Sequence, residues 1–159
     1  MPELGRAALV AAFGLILYAV VVGAYAAWRG RRRLLDSATN ALFAAFAAVG
    51  VASLVLLAAL ARNDFSFDYV ARLTSRELPD GYTLAAFWSG QEGSLLLWLL
   101  VLTGAASAAV ALNRRLVREV LPWTVPIIGG VAFFFAFLLV VVASPFDTQV
   151  APADGAGMN

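Results

Sequence analysis

Four long apolar runs constrain the fold of this sequence more than any other feature. They cover residues 7–28, 41–61, 90–112 and 121–143. At ~1.5 Å per residue, a helix of about 20 residues crosses a hydrocarbon core. Hydrophobic residues make up 62% of the chain, well above the roughly half that is usual in soluble domains. We therefore predict an all-α polytopic membrane protein, a single module with four transmembrane helices in contact with the lipid bilayer.

The first run has a second interpretation, as a cleaved signal peptide. Residues 24–26 read A-Y-A, which resembles a small-residue cleavage site. However, the run exceeds the usual apolar region of ~7–15 residues, and the cluster at residues 29–33 places its arginines after the run rather than before it. This arrangement favours a retained helix whose N-terminus lies outside.

The positions of the arginines predict the orientation of the chain. Two connections carry seven basic residues, which are Arg29, Arg31, Arg32, Arg33, Arg114, Arg115 and Arg118. The other four are Arg6, Arg62, Arg72 and Arg76, spread over longer segments. Because basic loops remain in the cytoplasm, we predict an N-out and C-out topology. The connection at residues 63–81 is then an extracytoplasmic loop between the second and third helices.

The chain contains no cysteine and no histidine. Disulfides, zinc-thiolate sites, CxxC redox chemistry and histidine-ligated metals are therefore excluded within it. We predict no metal site and no catalytic residues, and nothing in the clustered charges indicates a nucleic-acid partner.

Residues 82–98 read Y-T-L-A-A-F-W-S-G-Q-E-G-S-L-L-L-W and combine polar groups, glycines and tryptophans at the head of the third run. On one continuous helix at 100° per residue, one side carries Trp88, Gln91, Glu92, Leu95 and Trp98. The roughly opposite side carries Gly90, Gly93, Leu97, Gly104 and Ala108. We expect the second side to allow close approach of a neighbouring helix.

Glu92 is the only acidic residue inside or bordering the apolar part of any run. One interpretation is a carboxylate that pairs with a group on another helix, as intramembrane acids do. The other is a residue at the start of the third helix, where the helix dipole favours negative charge. For Trp88 and Trp98 we expect packing or interfacial anchoring.

The loop begins with alternating polar and aromatic residues at 64–70, D-F-S-F-D-Y-V. This pattern is typical of an interfacial loop with Phe65, Phe67 and Tyr69 in an aromatic belt. Asp64 and Asp68 are either solvated charges or, together with Phe65 and Tyr69, a docking surface for a partner. Residues 79–81, P-D-G, predict a turn.

Three blocks carry a resemblance to a known family. Residues 64–71 resemble D-F-S-x-x-Y-V-A, residues 78–82 resemble L-P-x-x-Y, and residues 88–98 resemble W-G-G-H-E-G-S-L-L-L-W. These patterns are similar to the N-terminal part of the cytochrome c-type biogenesis haem lyases, the CcmF/NrfE family. The resemblance extends over essentially the whole chain. It departs from the family at Gln91, where histidine is frequent, and at Ser89, where glycine is frequent.

The resemblance implies a role in cytochrome c maturation at the bacterial inner membrane. The complete protein would take haem from a haem chaperone and promote its attachment to apocytochrome c, alongside other membrane subunits of the maturation system. Trp88, Gln91, Glu92 and Trp98 become a candidate haem-handling or partner surface. The family's tryptophan-rich segment and haem-ligating histidines have no counterpart in this chain, so we expect scaffold helices and a loop, not the catalytic step.

Two other functions remain open from the sequence. Four apolar helices with one carboxylate are also typical of a transporter segment with Glu92 in a substrate or proton path. A non-catalytic structural subunit of a split assembly is the other alternative. The tail carries no terminating signal, and we expect the chain to be a fragment of a larger protein or such a split subunit.

Overall fold

The computed structural model describes residues 1–75, 80–113 and 121–148. Its helices are α1 (Pro2–Arg29), α2 (Arg32–Ala61), α3 (Asp68–Leu73), α4 (Asp80–Ser89), α5 (Gln91–Asn113) and α6 (Leu121–Phe137), the last continuing as a π-helical segment, Leu138–Val142. Four stretches are long and apolar enough to cross a membrane, namely Pro2–Arg29, Arg32–Ala61, Gln91–Leu112 and Pro122–Val142. The prediction of an all-helical chain with four such helices is confirmed.

The four long helices form a bundle in which α1 contacts α2 and α6, and α5 contacts the same two helices. Small residues allow the close approaches. A Cβ atom on Gly23 would lie 3.3 Å from the Val125 side chain, and one on Gly129 would lie 2.9 Å from Val20. Close packing at small residues is how membrane helices associate, because lipid removes the hydrophobic drive between them.

The two ends of this bundle differ in construction. At the end that we call the turn end, α1 passes into α2 through Gly30, whose φ of 64° is left-handed, and the Arg31 amide donates to the Ala26 carbonyl at 3.1 Å. A glycine in this conformation ends a helix without a Cβ penalty. At the opposite end, the loop end, the N-terminus of α1, the short helices α3 and α4, the start of α5 and residues 143–148 come together.

The prediction of one continuous helix over residues 82–98 is wrong. Helix α4 ends at Ser89 and α5 begins at Gln91, with Gly90 between them. Glycine has low helix propensity, and the Tyr69 hydroxyl accounts for the break, because it donates to two carbonyls near the end of α4. Helix α4 also begins at Asp80, inside the segment for which we predicted a turn.

The packing face of α5 also differs in part from the prediction. Gly93 is buried as expected, and a Cβ on Gly104 would lie 3.0 Å from the Phe46 ring. Ala108, however, is exposed. The buried face instead includes Leu96, Leu99, Thr103, Ala106 and Val110. Because α4 and α5 are separate helices, the register of 82–90 does not continue into α5.

Several predictions fall outside the described residues. They concern Arg76, the motif residues Leu78 and Pro79, the basic residues Arg114, Arg115 and Arg118, and the tail beyond Thr148.

Candidate functional site

The candidate site begins where α2 ends. Asn63 adopts a left-handed conformation with φ 48°, and the Asp64 amide donates to the Ala59 carbonyl at 2.9 Å. The Asp64 carboxylate then accepts from the Ser66 amide at 3.2 Å and from the Ser66 hydroxyl at 2.6 Å. This is an Asx-type turn, in which an aspartate holds the backbone two residues ahead. Asp64 therefore directs the chain from α2 toward α3.

The aromatic residues of the loop lie in the protein core. Phe65, Phe67 and Tyr69 are 5%, 0% and 1% exposed. The expectation of an aromatic belt at the lipid interface is therefore wrong. Alternation placed these rings on one side of the segment, and that side packs on the protein. Of the candidate docking residues, only Asp64 and Asp68 reach the surface, and their docking role stays a prediction.

Residues after α6 hold the start of α3 in place. The Asp68 amide donates to the Asp147 carbonyl at 2.9 Å, and Phe67 and Thr148 form an isolated antiparallel bridge. The ring of Phe146 is buried and meets Phe67 edge to face at 6.5 Å between centroids. It also lies directly against Gly5, where no Cβ atom would fit. The loop is thus attached to both α1 and α6.

Tyr69 occupies the break between α4 and α5. Its hydroxyl donates to the Ala86 carbonyl at 2.7 Å and lies 3.3 Å from the Phe87 carbonyl. In a continuous helix, these carbonyls would accept from the amides four residues ahead. Two glycines make room, because a Cβ on Gly90 would lie 2.7 Å from the Tyr69 ring, and one on Gly93 would overlap the Phe87 carbonyl and the Tyr69 hydroxyl.

The environment of Tyr69 keeps its hydroxyl protonated. Burial raises the pKa of the phenol from 10.0 to about 12, hydrogen bonding to the backbone of Gly90 and Gly93 partly offsets this, and the nearby Glu92 carboxylate raises the pKa further. A buried phenolate would be costly in this apolar surrounding. Tyr69 is therefore a neutral hydrogen-bond donor over the physiological range.

Arg72 connects α3 to the first turn of α5. Its Nε donates to Asp68 Oδ2 at 2.8 Å, and its Nη2 donates to Glu92 Oε1 at 2.8 Å. The hydrogen bond to Glu92 is the largest influence that raises the pKa of the Arg72 guanidinium above its ordinary value. Glu92 thus lies in the first turn of α5 and also pairs with a separate element, α3, so features of both sequence interpretations are present together.

The candidate surface residues divide at the helix break. Trp88 lies on α4 and is 56% exposed, whereas Trp98 lies on α5 and is 61% exposed. Gln91 is exposed at the start of α5, beside the partly buried Glu92. The Ser94 hydroxyl donates to the Trp88 carbonyl at 2.7 Å across the break. The stretch therefore presents two indole rings from two helices around a polar junction.

Sequence reasoning missed the roles of two residues that build this site, Arg72 and Phe146. Arg72 makes both ion pairs, and Phe146 holds the segment after α6 against Phe67 and Gly5. Gly93, which was predicted to lie on a close-packing side, permits the contact between α5 and Tyr69. The four-residue spacing of Asp68 and Arg72 was a usable signal, because such pairs meet on one helix face. No sequence signal indicated the contacts of Phe146, which depend on tertiary packing.

The residues of this site do not fit an axial haem ligand. The chain has no histidine or cysteine. Its buried phenol, Tyr69, already donates to backbone carbonyls. Within residues 1–75, 80–113 and 121–148, no group of three potential metal-ligating side chains occurs. Trp88 and Trp98 are exposed and supply flat aromatic surface without a metal-ligating atom.

Comparisons with known proteins identify the relatives of this arrangement. The chain is 35% identical to the cytochrome c-type biogenesis protein CcmF of Pseudomonas aeruginosa and 32% identical to that of Escherichia coli, in each case over 100% of this chain and 24% or 25% of the relative. It is 28% identical to NrfE of Haemophilus influenzae, with 100% of this chain and 25% of the relative covered. No protein-family model matches the chain.

A solved structure agrees with these relatives. The cytochrome c haem lyase CcmF superimposes with a TM-score of 0.86 and 32% identity, over 98% of this chain and 26% of that one. The fold and the site therefore define a helical membrane module of the kind found in cytochrome c biogenesis. The chain corresponds to the N-terminal part of the CcmF/NrfE family. It spans about a quarter of the length of the curated relatives it matches.

Proposed function

We propose that this chain is the N-terminal scaffold of a haem lyase that delivers haem to apocytochrome c for covalent attachment. One observation carries the proposal. Tyr69, from the block that resembles D-F-S-x-x-Y-V-A, donates its hydroxyl to the Ala86 carbonyl at the helix break, and this break at Gly90 lies within the block W-S-G-Q-E-G-S. Two of the three blocks that carry the resemblance are thus joined in one structure, which we call the interlock and which consists of Tyr69, Arg72, Gly90, Glu92 and Gly93.

The interlock favours a positioning role over a chemical one. Tyr69, Arg72 and Glu92 all have partners inside the chain, so these groups hold α3 against the start of α5. Attachment of haem to thiols depends largely on orientation, which rigid supports supply. The transporter alternative loses support, because Glu92 pairs at the start of α5 and the relatives are cytochrome c biogenesis proteins.

Orientation and partners form the finer part of the proposal. The module lies in the bacterial inner membrane with both termini and residues 63–81 outside, as the arginine distribution favours. The loop end then faces the compartment in which a haem chaperone and apocytochrome c are met. Trp88 and Trp98 are exposed aromatic surface near that end, and they contact haem or another membrane subunit of the maturation system.

A chimeric lyase tests the proposal. The chain replaces the matching N-terminal segment of Pseudomonas aeruginosa CcmF, and the chimera is produced in a strain of that organism whose own CcmF gene is deleted. We expect cytochrome c that carries covalently attached haem, measured by haem staining, together with a normal amount of the chimera in the membrane. Stable membrane insertion without any cytochrome c would contradict the proposed function.

A pair of glycine variants connects this test to the interlock. Gly93→Ala in the chimera places a Cβ against the Phe87 carbonyl and the Tyr69 hydroxyl, so we expect cytochrome c to fall sharply. Gly50→Ala is the matched control, because a Cβ there meets nothing within 4 Å. Equal yields from the two variants would show that the interlock is not needed for maturation.

A further inference from the structure

A cavity of about 510 Å³ opens at the turn end of the bundle. Its walls come from the end of α1, the start of α2 and the start of α6. Ala26, Leu35 and Pro122 supply apolar wall, whereas Arg31, Arg32 and Asp36 supply charge. The volume lies in the range of roughly 300–1,000 Å³ that is usual for sites of small ligands.

The charged groups of this cavity have no partner within the chain as far as the structure describes it. Ion pairs among the described residues are formed by Arg72 alone. Arg32 and Asp36 are one turn apart on α2 and therefore share a helix face, yet they do not pair. No side-chain hydrogen bond caps the start of α2 at Arg31. With respect to residues 1–75, 80–113 and 121–148, two guanidinium groups and one carboxylate are thus available to a ligand.

The pattern of charge indicates the ligand class. Guanidinium groups bind phosphate through paired hydrogen bonds, and the uncapped start of α2 adds favourable dipole for an anion. Asp36 would repel a ligand that carries only negative charge, but it attracts a protonated amine. A phosphate and a primary ammonium joined by two carbons satisfy both features. The apolar wall suits the hydrocarbon that follows such a group in a phospholipid.

The location in the fold points to the same ligand. The cavity lies where three apolar helices end, which is the level at which lipid headgroups meet a membrane protein. We propose that the cavity between Arg31, Arg32 and Asp36 binds the phosphoethanolamine headgroup of a membrane phospholipid, with its phosphate on the arginines and its ammonium on the aspartate. This site is at the opposite end of the bundle from the interlock and is independent of the proposed function.

Native mass spectrometry of the full chain tests this proposal. The purified protein is exposed to equal amounts of phosphatidylethanolamine, phosphatidylglycerol and phosphatidylcholine, and the lipid it retains is counted. We expect phosphatidylethanolamine to be retained preferentially. Arg32→Gln should lower its retention about tenfold, the change that corresponds to one charge-assisted hydrogen bond. Arg31→Gln should act in the same direction.

The remaining variants separate the two halves of the headgroup. Asp36→Asn should remove the preference for phosphatidylethanolamine over phosphatidylglycerol without lowering the retention of phosphatidylglycerol. Arg33→Gln is the matched control, since it removes an equal charge from a neighbour that does not line the cavity, and retention should be unchanged. Circular dichroism and the thermal midpoint confirm that each variant is folded, and Asp36→Asn carries the test if an arginine variant is not.

Four results would overturn the proposal. They are equal retention of the three lipids, a preference for phosphatidylglycerol that Asp36→Asn does not alter, and an equal loss in Arg33→Gln and Arg32→Gln. The fourth is displacement of the lipid by millimolar inorganic phosphate, which would identify a soluble phosphate ligand instead.

Discussion

The loop end and the turn end of this bundle use polar residues in opposite ways. At the loop end, Tyr69, Arg72 and Glu92 are engaged with other parts of the chain, and aromatic rings are buried around them. At the turn end, Arg31 and Arg32 are exposed around an open cavity. Buried hydrogen bonds are costly to disrupt, whereas exposed charges contribute little to stability. The loop end should therefore govern folding, and the turn end should govern contacts with the surroundings.

Gly93→Ala should disturb the loop end most strongly. The added Cβ meets the Phe87 backbone carbonyl and the Tyr69 hydroxyl, and backbone cannot move aside as a flexible side chain can. We expect a loss of unfolding free energy of about 3 kcal/mol or more, measured by denaturation in detergent. Gly50→Ala should be neutral or stabilising by roughly 0.5–1 kcal/mol. Similar losses in both variants would remove the distinction between these sites.

Tyr69→Phe should have the next largest effect. It leaves the ring in place but removes the donor to the Ala86 and Phe87 carbonyls, and an unpaired buried acceptor costs about 2 kcal/mol. Tyr82→Phe is the control, because Tyr82 is 69% exposed. A loss no larger than that of the control would mean that water or a neighbouring amide satisfies the carbonyls instead.

High pH should weaken the same contact without any mutation. The pKa of Tyr69 is about 12 in the folded chain against 10.0 ordinarily, so above pH 10 the unfolded state loses this proton first. The stabilisation that Tyr69 contributes through this shift is complete below pH 10 and is lost between pH 10 and 12. By pH 11 the free energy of unfolding has fallen by about 1.4 kcal/mol. Unfolding measured from pH 9 to 11 should show this decline, and Tyr69→Phe should reduce its slope. An unchanged slope in the variant would assign the decline to other groups.

The ion pair of Arg72 and Glu92 should contribute least. Arg72 is 52% exposed and Glu92 is 16% exposed, so solvent screens the pair, and a double-mutant cycle of Arg72→Gln and Glu92→Gln should give about 0.5–1 kcal/mol. Added salt should reduce this coupling. A coupling above about 2 kcal/mol would indicate a pair desolvated by further contacts.

The interlock also shows which part of the site was beyond sequence reasoning. The motif blocks and the unusual position of Glu92 were visible in the sequence, and the four-residue spacing of Asp68 and Arg72 indicated their ion pair. The helix break at Gly90 was not visible, because a glycine in a helical pattern is often tolerated. Its cause is Tyr69, which lies 21 residues earlier in the chain.

The sequence by itself determined that this chain makes four long apolar helices. The length and hydrophobicity of one continuous segment decide whether it can cross a bilayer as a helix, and both are local properties. It also determined the family, since whole blocks of residues carry the resemblance. Only the tertiary structure decided that the aromatic loop is buried and that α4 and α5 are separate helices. The tertiary structure also decided that the carboxylate of Glu92 pairs with Arg72 on α3. Each of these depends on contacts between residues distant in the chain, and no local pattern records which surfaces pack together.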